Sequence, residues 1–394
     1  MNRNDPTTPR RLSTRSLEPR TFGKGWISGV LSVALGLLGL GAVLCFHFPS
    51  WLTTSQLRGL YPLPYVRAVL HVVLVTSFLL GTASVCLRYN KALGLMGIGL
   101  TLAATLLGGS RVPVNGAVSE GPILGLDWFL LNLIAYSAVY IPLERVFAKR
   151  PEQPIFRPGW RTDLAYFFFN SLLIQCISFL TVKPAMVLFD WARQPDLAAW
   201  ISSWPLVAQV VGVLLVADLT QYWIHRAFHR LPALWRFHAV HHSVETMDWL
   251  AGSRLHIVDA IVTRAATYVP VYVLGFSESA IVAYIGIVVV QATFIHANVR
   301  WEFRPIRWLL ATPCFHHWHH SAESEAVDKN FSVHLPCWDW LFGTYYLPDR
   351  WPNSYGLSSG RDVPPGFGGQ LVYPFRRPVV PSASKPTGSS SPSS

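Results

Sequence analysis

Apolar residues in this chain gather into long runs broken by short polar turns, the pattern of membrane-crossing helices rather than of alternating strands. Six runs come near the ~20 residues that a helix needs to cross the hydrocarbon layer. They are about Gly25–Phe48, Arg67–Leu87, Ala92–Gly108, Leu126–Leu143, Thr162–Val182 and Leu206–Ile224. The first carries small residues at Gly29, Gly36 and Gly39, which permit close helix packing. Two shorter runs, about Ile261–Leu274 and Ala280–Ile295, are joined by Gly275-Phe276-Ser277-Glu278 and predict a hairpin that dips in and returns. The expected fold is all-α: a polytopic helical bundle of about six spans plus a short re-entrant hairpin, with a histidine-rich helical cap on the cytoplasmic side.

Composition supports this pattern. Hydrophobic residues make up 51% of the 394 residues and charged residues 13%, about half the charged share of a soluble globular chain. The net charge of +11 comes without a basic-aromatic stripe, so no nucleic-acid partner is expected. The basic residues sort by loop instead. A basic arm over 1–24, the turn Arg88-Tyr89-Asn90-Lys91 and the loop Glu144–Arg161 all fall on one side of a six-span path. The positive-inside rule makes that side cytoplasmic and puts the exit of the sixth span, at His225, there too. The chain is expected to divide into a disordered arm (1–24), an N-terminal membrane region (25–160), a histidine-rich region (161–347) and a tail (348–394) that is disordered after about 380. The five cysteines include no CxxC pair, which excludes a zinc ribbon or a disulfide framework.

The chemistry lies in the histidines. Twelve of the fourteen fall between Asp218 and Thr344. Three groups stand out: His225 and His229; His238, His241 and His242; His316, His319 and His320, with His317 between. Residues three and four apart share a helix face, so each group presents its rings to one side. Asp218 and Tyr222 fall on the face of His225. A buried Asp there needs a partner: the second nitrogen of a metal-bound imidazole, or a neighbouring Arg or backbone group. Eight imidazoles are too many for one zinc ion and suit two ions of Fe, Cu, Zn or Ni at four or five ligands each. No HExxH motif and no paired ExxH motif is present, which excludes metalloproteases and ferritin-like di-iron proteins. The alternative is a His-rich membrane metal transporter or sensor, which requires titratable residues strung through several spans.

The surroundings of these boxes resemble the fatty acid hydroxylase/sterol desaturase superfamily of integral-membrane di-iron enzymes. The resemblance rests on Asp-Leu-Thr-Gln-Tyr-Trp-Ile-His-Arg-Ala-Phe-His at 218–229, Met247–His256, Phe294-Ile295-His296-Ala297-Asn298-Val299, Asp328-Lys329-Asn330-Phe331 and Trp338–Thr344. It covers about Asp163–Thr344. It departs at Phe331-Ser332, where relatives carry Tyr-Gly, and at Ile257, where many carry Pro. It implies two irons held by His225, His229, His238, His241, His242, His316, His319 and His320, joined by His296 and His256. His317, His334, His71 and His47 are left as non-ligands. Asp218, Asn298, Asp328, Asn330 and Asp339 would orient the ligands, with Arg254 and Arg300 pairing those acids. The implied reaction is O2-dependent hydroxylation or desaturation of a fatty acyl chain or sterol-like lipid that enters from the bilayer. No flavin, haem or ferredoxin motif is present, so electrons would come from a ferredoxin- or cytochrome b5-like donor with its reductase. The implied location is the cell inner membrane, or the endoplasmic reticulum in a eukaryote.

Overall fold

The structure, a computed structural model, describes residues 23–54, 58, 62–114, 124–357 and 363–376. Nearly all of the basic arm and the end after 380 lie outside the described residues. Among the described residues there are helices and isolated bridges but no strand. Seven helices are long and apolar enough to cross a membrane, including 257–274, where the sequence suggested only half of a short hairpin. The described chain forms two compact units, residues 1–135 with 171–176 and residues 136–170 with 177–394.

In the first unit, α1 (Trp26–His47), α2 (Leu63–Leu87) and α3 (Ala92–Leu106) pack on one another. Small residues set their approach. A Cβ on Gly36 would stand 2.9 Å from Leu100 Cβ, and one on Gly39 2.6 Å from Leu74 Cδ2. Hydroxyls bridge the helices where no water reaches: Ser32 Oγ donates to Ser77 O at 2.7 Å, Ser77 Oγ to Ser32 O at 2.8 Å, and Ser84 Oγ to Gly25 O at 2.8 Å. This is the small-residue and hydroxyl packing by which helices associate in lipid. Val43, Phe46, Leu70, Leu74, Ala104 and Val112 close the end of the stack.

The expected fifth span, Thr162–Val182, is two helices, α5 (Trp160–Leu172) and α6 (Ile174–Phe189). The helix breaks at Leu173, and the Leu172 carbonyl accepts Gly125 N–H at 2.8 Å. The helix before them is α4 (Leu126–Val146). After the short α7 (Pro195–Ser202) comes α8 (Leu206–Arg230), the axis of the second unit. Against it pack α9 (Pro232–His242), α10 (Ile257–Leu274) and α11 (Glu278–Phe294). The α10–α11 turn is specified locally. Gly275 takes φ 78°, and a Cβ there would strike Ala198. Ser277 caps α11 by accepting Ala280 N–H. Gln209 accepts Ser277 N–H at 2.9 Å and donates to Ser202 O and Trp204 O. Val213, Ala217, Val271, Phe276, Ala280 and Tyr284 form the apolar core here. Two short helices, α12 (Pro313–His319) and α13 (Cys337–Leu341), complete the histidine region. The tail contributes α14 (Phe367–Val372), whose Leu371 carbonyl accepts a bond from His256.

Candidate metal centre

Each histidine box sits where its local structure aims it. His225 and His229 lie in the last turns of α8, and His238, His241 and His242 in the last turns of α9. His296 follows the end of α11, and His316, His319 and His320 lie in and just after α12, which Thr312 caps through Phe315 N–H. The structure gathers nine of the ten candidate rings into two sets. His225, His229, His238, His242 and His319 form one; His241, His296, His316 and His320 form the other. Within each set the candidate donor atoms lie within 4.8 Å of one another. Both sets draw on several boxes, so neither forms until the helices that carry them meet.

The tautomers are set from behind. Nδ1–H of His225 donates to Phe331 O at 2.6 Å, that of His241 to Arg254 O at 3.0 Å, that of His296 to Ala292 O at 2.6 Å and that of His319 to Lys329 O at 2.8 Å. His238 Nδ1 bonds Asp259 Oδ2 at 2.7 Å, and His229 Nδ1 lies 3.4 Å from Asp328 Oδ1. A carbonyl accepts only, so Nδ1 carries the proton and Nε2 is left with its lone pair facing inward.

The inward nitrogens are crowded. His225 and His238 Nε2 are 3.0 Å apart; His296 Nε2 is 3.0 Å from His316 Nε2, which is 3.1 Å from His320 Nε2. Two nitrogens bound at ~2.1 Å to one ion at right angles stand about 3 Å apart. Nε2 of His229, His242 and His319 is buried and has no hydrogen-bond partner among the described residues. Buried polar atoms are almost always satisfied, and a metal ion would satisfy these. Burial, reinforced by neighbouring rings, holds His241, His242, His316 and His320 well below the ordinary 6.5. Burial pushes His296 down to about 4 and His319 to about 3. All six are neutral at pH 7, the form that binds metal. The donor set fits the metals expected from the boxes.

His256 stands outside both sets. Its Nδ1 accepts Val258 N–H as the cap of α10, and its Nε2 donates to Leu371 O at 3.1 Å, so both nitrogens are occupied. His317 is spent on Tyr355 OH and His296 O, and His71 lies 3.2 Å from Ser110 Oγ.

The expected acids work mainly through the backbone. Asp218 does not reach an imidazole; it accepts N–H bonds from Val333, His334 and Leu335 at 2.8–3.3 Å. Asp339 accepts Phe331 and Ser332 N–H and the Thr344 hydroxyl, which also meets Tyr222 OH at 3.0 Å. Together they hold the 331–335 segment whose Phe331 carbonyl orients His225. Asn330 donates to Phe315 O and Tyr346 O. Asp328 and Asn330 take φ 57° and 59°, a left-handed backbone that Asp and Asn tolerate best among residues with a Cβ. Asn298 exchanges two bonds with the Arg150 backbone.

Arg254 does not pair with these acids. It meets Asp163 at 2.5 Å, and Arg157 bridges Asp163 and Asp248 at 2.6 Å each. Arg300 forms no ion pair with a described residue. Sequence reading missed this buried network and missed Asp259. The usable signal was an acid three residues after His256, at the mouth of an apolar run; starting that run at Ile261 left Asp259 outside it.

Comparison with known proteins follows the same stretch. The family model for fatty acid hydroxylase matches residues 210–344. The ornithine lipid hydroxylase of Rhizobium tropici is 31% identical over 268 residues, covering 64% of this chain and 77% of that protein. Human alkylglycerol monooxygenase is 30% identical over 187 residues, or 48% of this chain and 39% of that one. Rat methylsterol monooxygenase 1 is 21% identical over 223 residues, or 55% and 73%. These names give no support to a metal transporter or sensor. No solved structure matches the chain.

Proposed function

Since this chain belongs to the fatty acid hydroxylase family, we propose that it is an O2-dependent oxidoreductase that hydroxylates a C–H bond of a membrane lipid. The observation that carries this reading is the gathering of nine imidazoles into two adjoining sets, with Nε2 turned inward. One iron would be held by His225, His229, His238, His242 and His319, and the other by His241, His296, His316 and His320. Two ferrous ions bound in those sets would supply the reductive activation of O2 that an inert alkyl C–H bond requires.

The protein's own part is positional. Asp259 and the carbonyls of Phe331, Arg254, Ala292 and Lys329 fix the rings. Asp218, Asp339 and Asn330 fix the segments around them. Burial keeps bulk water away, which protects the reaction from side paths. Hydroxylation is favoured over desaturation because the related proteins are named as hydroxylases and monooxygenases. The chain is an integral multi-pass membrane protein, and its substrate enters from the bilayer. The basic segments 88–91 and 144–161 support a cytoplasmic position for the histidines, where a ferredoxin- or cytochrome b5-like donor with its reductase would deliver electrons.

Comparative lipid mass spectrometry of cells with and without the gene, with metal analysis of the purified chain, tests the reading. The expected result is two irons per chain and an oxygenated lipid that His241→Ala abolishes while the protein stays in the membrane. Retained product in that variant, or a zinc-loaded protein with no O2-dependent product, overturns it.

A further inference from the structure

One layer beside the histidines carries two polar side chains that the metal site does not use. On α8, Ala217, Gln221, His225 and Phe228 follow one another at four, four and three residues, and so share a face. On α10, Ala260, Arg264, Thr267 and Val271, at four, three and four residues, share a face too. Two fixed points set the relative direction of the two helices. Ala217 and Val271 belong to one apolar cluster. At the other end His225 Nε2 lies 3.0 Å from His238 Nε2, whose ring is bonded through Nδ1 to Asp259 of α10 at 2.7 Å. The helices therefore run antiparallel, and Gln221 and Arg264 fall in the layer between the apolar cluster and the histidines.

Neither side chain is accounted for. No described residue gives Gln221 or Arg264 a hydrogen bond or an ion pair. Gln221 is half-buried, and Arg264 is the one exposed position of α10. Yet Ala260 and Val271, one turn before and two turns after Arg264 on the same face, are each only 3% exposed. An arginine directed at lipid would sit on a face of exposed apolar neighbours and snorkel. This one stands between packed positions of its own face, and no described residue neutralises it. A charge in the apolar part of a spanning helix is costly and marks function when no protein group neutralises it.

We propose that Arg264 and Gln221 form the headgroup subsite of the lipid substrate and that the group they hold is an oxyanion, a carboxylate or a phosphate. A guanidinium presents parallel N–H donors that match such a group, and an amide adds one more. The proposal rests on the oxygenase reading and narrows its substrate class to anionic lipids. It also narrows the site of attack. Arg264 lies five residues beyond Asp259, about 7.5 Å along the axis, and helical side chains lean toward the N-terminus, here toward the histidines. The oxidised carbon therefore lies near the headgroup rather than at the methyl end of the chain.

The test uses the full iron-loaded chain in phosphatidylcholine nanodiscs, with retention of oleate, dioleoyl phosphatidate and dioleoylglycerol compared by native mass spectrometry. Wild type should retain at least one of the two anionic probes about tenfold better than dioleoylglycerol, the scale of a charge-assisted bond. R264Q should remove that preference and Q221A should reduce it about threefold, the loss of one neutral bond. Equal retention of the neutral probe by wild type, or a preference that survives R264Q, overturns the proposal. Displacement of the anionic probe by equimolar inorganic phosphate overturns its lipid part. Where R264Q does not fold, unchanged preference in both R264K and Q221A overturns it. Iron content of the same samples separates the two readings: absence of iron counts against the oxygenase, whereas two irons without anion preference count against the subsite alone.

Discussion

Between α1, α2 and α3 the buried hydroxyls of Ser32, Ser77, Ser84 and Thr101 are satisfied by neighbouring backbone carbonyls or hydroxyls within the membrane-helix packing. Around the histidines the buried polar atoms are imidazoles, carboxylates and guanidinium groups, and several ring nitrogens stay unsatisfied by protein. The first region needs only close approach, so small residues suffice. The second region has to hold nine rings in place while leaving their inner nitrogens open. It does so with acids that grip backbone N–H groups, because a carboxylate accepting two or three such bonds locks a loop more firmly than side-chain packing alone. Close packing and pre-organised chemistry are thus distinct demands, met here by different residue types.

Four outcomes would break or sharpen that contrast. The largest effect is expected at Asp259. Asp259→Ala frees the His238 ring and should lower iron affinity by about 10–100-fold, read as iron per chain after dialysis, with membrane insertion unchanged. Iron retained at the wild-type level would make Asp259 a bystander.

Acid should act next, through the histidine region. The folded pKa of His319 is about 3 and that of His296 about 4, against an ordinary 6.5. Between those values the unfolded chain binds protons that the folded chain does not, so lowering the pH favours unfolding. Above about 6.5 both forms are neutral and the effect vanishes. Metal-free protein should therefore lose thermal stability steadily below pH 6.5, while bound iron should delay the loss until acid displaces it. A flat profile from pH 7 to pH 5 would contradict the burial of these rings.

Smaller effects belong to the first region. A Cβ on Gly97 would collide with the Ser32 side chain, so Gly97→Ala should cost about 1–3 kcal/mol of stability in thermal or denaturant unfolding, with iron content unaffected. Gly99, also in α3, has open space where a Cβ would stand, with nothing within 4 Å. Gly99→Ala should be neutral or stabilising by about 0.5–1 kcal/mol. Equal effects at both glycines would show that helix propensity, not close approach, governs this packing.

The three boxes were legible because each is a local pattern. Three- and four-residue spacing within a helix places His225 with His229, and His238 with His241 and His242, before any fold is known. His296 was legible only through resemblance, because nothing periodic ties it to a box. The partners of Asp259, Asp163 and Arg157 were not legible, since they lie up to 91 residues away. The break at Leu173 escaped for a similar reason: an apolar run reads as one span until a distant N–H takes the carbonyl that would have continued it.

By itself, then, the order of residues decided the helical character, the apolar spans, the faces on which the histidines stand and the family to which they belong. These depend on hydropathy and on 3.6-residue periodicity, which are properties of neighbours in the chain. Only the tertiary structure decided how nine rings divide into two sets and that His256 is a helix cap. It also decided that Asp218 grips a backbone loop rather than an imidazole, and that Gln221 and Arg264 share a layer. Those are pairings across long loops, and sequence spacing carries no record of which distant atoms come within bonding distance.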